Sequence, residues 1–277
     1  MTLALIAGRG RLPGLILGAL EARGDPAVVA RLADDPPDFA CDDAVIFRLE
    51  TLGTLIRTLQ ERGVTRACFA GAVRRPLIDP SRIDAATLPL VPRLMAALEQ
   101  GDDGALRTVL ALFEAAGIEI VAATDLVPDL LADDGVLTRA TPSDRSRRDA
   151  TRAAGILAAM APADIGQGVV VARGQALAIE AQAGTDWMLR SLALMAGADD
   201  AGELPATKGG LLFKAPKLGQ DWRIDLPAIG PDTVALAASL GLAGIVTEAR
   251  GIVMLERDLL LRMADDAGIF VWSRAPE

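Results

Sequence analysis

Histidine and tyrosine are absent from the sequence, and cysteine occurs only at Cys41 and Cys68. Without histidine, Ser-His-Asp triads, Cys-His pairs, HExxH zinc sites and imidazole general bases are all excluded. The two cysteines show no CxxC spacing and no surplus for a disulfide framework, so they read as buried thiols in a reducing cytoplasm. Aromatic residues make up only 3% of the chain, so its core must come mainly from Leu, Ile, Val and Ala. No apolar run reaches the ~18 residues of a membrane-spanning helix. The apolar N-terminus is interrupted by Arg9, Arg11 and Pro13 and lacks a basic leader and a small-residue cleavage site, so it does not read as a secretory signal. A surplus of positive charge is missing too. The formal net charge of −9 argues against a nucleic-acid surface, although it leaves room for a local basic pocket. Catalysis must therefore use Asp, Glu, Lys, Arg, Ser, Thr, Cys, backbone amides or a borrowed metal. A carboxylate site rich in oxygen suits magnesium best, with manganese as the alternative.

The chain offers 277 residues, 51% of them apolar, which is ample for a sizeable core. That length suits one large domain or, more comfortably, two of ordinary size. From residue 3 to about 131, short β-type runs (3–7, 26–30, 44–49, 66–70, 118–122) alternate with helical spacing such as Leu106, Val109, Leu110 and Phe113. This alternation predicts an α/β domain over residues 1–135, with a three-layer, Rossmann-like parallel sheet. Residues 132–142 are polar and aperiodic, as a linker would be. A helix is expected from Ser143, with Ala150, Ala153, Ala154, Leu157 and Met160 inward. Arg145, Arg148 and Arg152 line its other face, where Asp144 and Asp149 would pair with them. A second, mixed α/β domain is expected over 136–277. Its strands are placed at 169–172, 177–181, 211–214, 223–226, 243–246, 252–255 and 269–272, and its helices at 186–195, 231–240 and 256–267.

The densest chemical segment runs from Leu212 to Thr233, LFKAPKLGQDWRIDLPAIGPDT. If Asp221 to Leu226 is extended, Asp221, Arg223 and Asp225 share one face. Two carboxylates can hold a cation there while the guanidinium grips phosphate oxygens. Lys214 and Lys217 add positive charge upstream, and Gly230-Pro231 reads as a helix start. An isolated DxRxD is better described as an amphipathic edge strand with a surface salt bridge; the crowding of Lys, Gln, Asp and Arg among Pro and Gly tips the reading towards function. In EAQAGTD, Thr185 is expected as an N-cap with Asp186 in the first helical turn, and Glu180 ends a strand, from where it can join a metal shell. Gly8 to Pro13 follows a strand and precedes a helix, but Pro13 breaks the GxGxxG dinucleotide signature. Gly71 to Pro76 ends another strand, where Arg74 and Arg75 either meet a phosphate or stand solvated.

Together these segments resemble the metal-dependent UDP-2,3-diacylglucosamine pyrophosphatases of lipid A biosynthesis, the type distinct from the metallophosphoesterase version. The landmarks span nearly the whole chain: LIAGRGRLP, GAVRRP, GDDGALR, DIGQGVVVARG, EAQAGTDWMLR and KAPKLGQDWRIDLPAIGPDT. The resemblance implies a Gram-negative bacterial enzyme that splits UDP-2,3-diacylglucosamine into 2,3-diacylglucosamine 1-phosphate (lipid X) and UMP. It implies magnesium dependence and attack of water at the sugar-side phosphorus. It also implies that Asp225 is the essential acid, with Glu180, Asp186, Gln220 and Asp221 beside it. Leu218 departs from the proline of the family's KxPKPxQD-like pattern, which loosens a loop and removes no functional group. Asp225, Asp221 and Arg223 are thus the expected catalytic residues, and Asp225, Asp221 and Glu180 the expected metal ligands. Gly10, Arg11, Leu12, Pro13, Arg74, Arg75, Thr185, Asp186, Lys214, Lys217 and Gln220 are expected to bind substrate. Apolar segments 189–195 and 234–242 are candidates to line an acyl groove or to fill the core. A non-catalytic carrier or sensor of a nucleotide sugar or anionic lipid is the competing reading, and a dinucleotide-dependent oxidoreductase a more distant one. A cytoplasmic location is expected, and peripheral contact with the inner membrane and a homodimer are left open.

Overall fold

The computed structural model describes residues 2–74, 78–98, 102–163, 165–196, 207–217, 221–223 and 225–276. The chain divides into two units, Met1–Pro128 and Asp129–Glu277.

In the first unit the run TLALIA forms β1 (Thr2–Ala7), buried from Leu3 onwards. A strand buried on both faces calls for helices above and below it, as in a parallel sheet. The elements that follow are α1 (Arg11–Ala22), β2 (Ala27–Leu32), β3 (Val45–Phe47), α2 (Leu52–Glu61), β4 (Val64–Ala70), α3 (Val91–Leu98), α4 (Asp102–Ala115), β5 (Glu119–Ile120) and α5 (Ala123–Leu126). The sheet order is β3-β2-β1-β4-β5, with every pair parallel. The chain steps to one side of β1 through α1 and to the other through α2. Right-handed crossovers therefore put those helices on opposite faces, giving the three layers expected. The reversal of direction falls between β1 and β4, and their carboxyl ends carry Gly8–Gly10 and Gly71–Arg74.

The second unit contains β6 (Gly135–Val136), α6 (Asp144–Met160), β7 (Gly168–Ala172), β8 (Gln175–Ile179), α7 (Gly184–Ala196), β9 (Leu211–Lys214), β10 (Ala228–Ile229), α8 (Pro231–Ser239), β11 (Gly244–Glu248), β12 (Val253–Met254), α9 (Arg257–Asp266) and β13 (Phe270–Arg274). Its main sheet has the order β6-β13-β11-β9-β7-β8. Strands β9, β11 and β13 are mutually parallel, while β6, β7 and β8 run antiparallel to their neighbours, so the sheet is mixed. Alternate residues feed two cores. Leu212, Ile245 and Val271 pack with Leu189, Val234 and Leu260 of the later helices, whereas Phe213, Val246 and Phe270 pack with Ala150, Ala153 and Leu157 of α6. Each fully buried leucine in these layers contributes roughly 1.5–3 kcal/mol.

Two local expectations change and one holds. Residues 132–142 do not hang as a linker: β6 pairs with β13, and Leu137 N–H donates to Val271 O at 2.9 Å. Ser143 caps α6 by accepting from Ser146 N–H at 3.2 Å, as its sequence suggests. Arg145, Arg148 and Arg152 are exposed, but Asp149 is not their salt-bridge partner. It is buried and accepts the amides of Arg173 and Gly174 at 3.0 and 2.7 Å, pinning the β7–β8 turn. Among the described residues no helix is long and apolar enough to cross a membrane.

Candidate active site

The LLFK run of β9 ends in a lysine that is only 5% exposed. Strand alternation puts Lys214 on the same face as Leu212, so its ammonium enters the layer that α7 and α8 cover. Lys214 Nζ donates to Thr185 Oγ1 at 2.5 Å and to Ala228 O at 3.1 Å, and stands 3.9 Å from Glu180 Oε2. Thr185 in turn donates its hydroxyl proton to Glu180 Oε2 at 2.9 Å. Two glycines make this arrangement possible. A Cβ at Gly168 would lie 2.4 Å from Glu180 Oε2, and one at Gly166 would lie 1.9 Å from Glu180 O. The DIGQGVVVARG segment is therefore a cradle for Glu180. Burial lowers the Lys214 pKa, and the charges of Glu180, Asp186 and Asp225 oppose that shift.

Thr185 is not an N-cap, since α7 already begins at Gly184 and the hydroxyl is committed to Glu180. Asp186 does lie in the first turn, exposed, 3.9 Å from Arg190. On the other side of Lys214, its register partner Thr247 on β11 is fully buried, and Thr247 Oγ1 has no hydrogen-bond partner among the described residues. Polar residues thus interrupt the apolar rows at the carboxyl ends of the parallel strands. Strand periodicity alone gives no hint of Thr247.

The described residues of the stretch 223–226 (223, 225 and 226) form no strand. Asp225 N–H donates to Asp221 O at 3.0 Å, closing a turn, and the Asp221 carboxylate accepts from Arg223 N–H at 3.1 Å. The same carboxylate grips the guanidinium in a fork, Nε to Oδ1 at 2.9 Å and Nη2 to Oδ2 at 2.7 Å. Aspartate often diverts backbone in this way, because its short side chain offers local amides an acceptor that competes with a sheet ladder. Alternation therefore does not align Asp221, Arg223 and Asp225. Asp221 engages Arg223, while the Asp225 carboxylate is exposed and has no hydrogen-bond or ion-pair partner among the described residues. Lys217 is half-buried nearby in sequence, and Gln220 lies outside the described residues.

No group of three acidic or cysteine side chains close enough to hold a metal ion occurs among the described residues. Leu189, Leu192, Val234, Leu240 and Leu242 belong to the core of the second unit. The exposed apolar side chains on α7 are instead Trp187 (57%) and Leu194 (72%), spaced i, i+7 on one face.

In the first unit the two glycine loops are sewn together. Arg9 and Ala72 exchange backbone hydrogen bonds at 2.8 and 2.9 Å. A Cβ at Gly8 would meet Ala72 O at 2.6 Å, and Gly71 has φ +91. Asp35, 7% exposed, accepts Arg74 N–H at 2.7 Å and pairs with Arg9 Nε at 2.9 Å. Gly10 N–H already donates to Asp38 at 2.6 Å. Leu12 is half-buried and Pro13 is buried in the first turn of α1. Arg11 and Arg74 are exposed; Arg75 lies outside the described residues. Asp35 and Asp38 were not singled out in the sequence, because only the folded loop brings them to the glycines. Burial and the Asp125 charge push the Cys68 thiol up to about 12, which removes it as a nucleophile.

Residues 2–130 match the family model of the LpxI N-terminal domain, and residues 133–272 that of the LpxI C-terminal domain. The chain belongs to the LpxI family. It is 38% identical to the UDP-2,3-diacylglucosamine pyrophosphatase LpxI of Caulobacter vibrioides, over 99% of this chain and 98% of that protein. The LpxI C-terminal region holds the Lys214–Thr185–Glu180 cluster and the Asp225 turn, and the N-terminal region holds both glycine loops.

Proposed function

We propose that this chain hydrolyses UDP-2,3-diacylglucosamine to 2,3-diacylglucosamine 1-phosphate and UMP in lipid A biosynthesis. The observation that carries this reading is the 38% identity along the full length of the Caulobacter vibrioides pyrophosphatase. The geometry supports it at Asp225, which presents an unengaged carboxylate beside a buried cation.

Magnesium, with manganese as the alternative, suits these residues. Hard oxygen donors are present, and magnesium is ordinarily held by one or two carboxylates together with substrate phosphates and water. Asp225 is the carboxylate placed for that role. A bound ion would neutralise the pyrophosphate and ease deprotonation of the attacking water. The chain's own residues orient the reactants. Asp225 serves as metal ligand, general base or both. Trp187 and Leu194 give the acyl chains apolar surface. Water adds to the sugar-side phosphorus, the anhydride P–O bond breaks, and UMP departs with its electron pair. The same reading gives the enzyme a cytoplasmic location and peripheral contact with the inner membrane, with a homodimer to be tested by sedimentation.

The test is turnover in ¹⁸O-water with magnesium, read by mass. The expected result is UMP release with the label in the sugar phosphate, and a loss of about 10²–10⁴-fold in Asp225→Ala with its fold intact. Binding without turnover would instead identify a carrier, and undiminished turnover in Asp225→Ala would remove Asp225 from the site.

A further inference from the structure

We infer that Lys214 is a positioning residue that holds the Asp225 segment in place, and that Glu180 is the counter-ion of its ammonium rather than a metal ligand. The inference rests on the proposed reaction and concerns which residues of the same site touch the substrate.

Residue chemistry alone would give Lys214 to phosphate and Glu180 to the metal. Burial argues otherwise for both. An ammonium that is 5% exposed, with hydrogen bonds at 2.5 and 3.1 Å to Thr185 and Ala228, is held by the protein itself. A buried cation costs several kcal/mol unless a carboxylate accompanies it, and Glu180, 6% exposed, occupies the space that the missing side chain of Gly168 leaves. Glu180 Oε2 accepts from Thr185 and lies 3.9 Å from Lys214 Nζ. A divalent ion on that oxygen would sit within reach of the ammonium, where like charges repel.

What the ammonium ties together has a bearing on catalysis. Ala228 lies three residues beyond Asp225, at the start of β10 and just ahead of the Gly230–Pro231 start of α8. Strand β10 is fixed on its far side to β12. Thr185 lies in the first turn of α7, next to Asp186. Lys214 therefore fastens the end of β9 both to the segment carrying Asp225 and to the start of α7. Its charge acts over the same distance, since Glu180, Asp186 and Asp225 all bear on it. Loss of the ammonium would free the Ala228 carbonyl and let Asp225 drift, and misplacement by ~1 Å can cost about 10²-fold in rate.

The experiment compares Lys214→Met, Glu180→Gln and the double variant, measuring kcat, KM, the magnesium concentration for half-maximal rate and the melting temperature. Trp222 emission, read in a Trp187→Phe/Trp272→Phe background, reports on the turn that carries Asp225. Lys214→Met is expected to lower kcat about 10²-fold with KM and the magnesium requirement unchanged, and to shift Trp222 emission. Glu180→Gln is expected to lower the melting temperature and leave the magnesium requirement alone. The double variant, which removes both charges, should regain melting temperature over either single variant without regaining kcat. It also keeps the test open if Lys214→Met alone does not fold. A raised KM at unchanged kcat in Lys214→Met would make the ammonium a substrate contact. A tenfold higher magnesium requirement in Glu180→Gln would make Glu180 a ligand. Recovery of kcat in the double variant, or unmoved Trp222 emission, would reduce the pair to ordinary stabilisation. Any of these overturns the inference. Absence of UMP release from the unmodified enzyme would instead refute the proposed reaction, and the melting temperatures would still report on the charge pair.

Discussion

Replacing Gly168 by alanine tests whether the Glu180 carboxylate is held where the structure places it. The added methyl would lie 2.4 Å from Glu180 Oε2, but 3.4 and 3.5 Å from its Cβ and Cδ. Only the first contact is a collision, and it involves the far end of a side chain, so Glu180 can swing aside. In doing so it gives up the 2.9 Å hydrogen bond from Thr185. A hydrogen bond to a charged group contributes about 1.5–3 kcal/mol. Alanine offsets about 0.4–1 kcal/mol of this by restricting the unfolded chain, since Gly168 does not have a positive φ. The net expectation is a destabilisation of about 1–2 kcal/mol, or about 2–8 °C for a protein of this size. Gly166→Ala should cost more, because its methyl would meet Glu180 O at 1.9 Å and backbone cannot swing aside. Urea unfolding of a double-mutant cycle separates the two cases. In a Glu180→Ala background the cost of Gly168→Ala should vanish, while that of Gly166→Ala should persist. An equal cost of Gly168→Ala in both backgrounds would refute the placement of Glu180 and, with it, the reasoning about Lys214.

Two further outcomes bear on the first unit. Asp35→Ala strips the Arg74 amide of its acceptor and the Arg9 guanidinium of its ion-pair partner, and should lower the unit's stability by about 1–3 kcal/mol in urea unfolding; no change would mean that the two glycine loops hold each other without it. Cys68, its pKa pushed up to about 12, should resist a thiol reagent at pH 8 until the protein is denatured, while half-buried Cys41 accounts for the native reactivity; two native equivalents would contradict that burial.

How much of this was legible in the sequence depends on the range of the interaction that decides each element. The boundaries of β9 were read correctly because an apolar run between Gly210 and Pro216 settles them locally. The parallel sheet of the first unit follows from strand-helix alternation, and its strand order from right-handed connections. The described residues of 223–226 depart from the expected strand because the Asp221 side chain captures Arg223, and period-two alternation is blind to that competition. Residues 132–142 look like a linker because an edge strand carries little apolar signal of its own; pairing with β13 is what orders them. The Glu180 cradle was out of reach for a different reason. It depends on the approach of Gly166 and Gly168 to a residue just beyond the end of the next strand, and a one-residue change of register would remove it.

Charge accounting then narrows the chemistry further than residue types can. Three carboxylates in the second unit are candidates for one cation, yet two of them already have partners. Asp221 holds Arg223 through both oxygens, and Glu180 balances a buried ammonium through Thr185. A carboxylate already committed to a buried cation, as Glu180 is, binds a second one only by releasing the first, and the released ammonium then meets the full cost of burial. Asp225 carries no such obligation, since it is exposed and unengaged. An ion that needs few protein ligands and completes its shell with phosphate and water can use such a carboxylate. The same accounting explains why an acidic chain without histidine retains a lysine in its apolar layer: placed there, the cation cannot leave with the product, and it keeps the Asp225 segment anchored through each turnover.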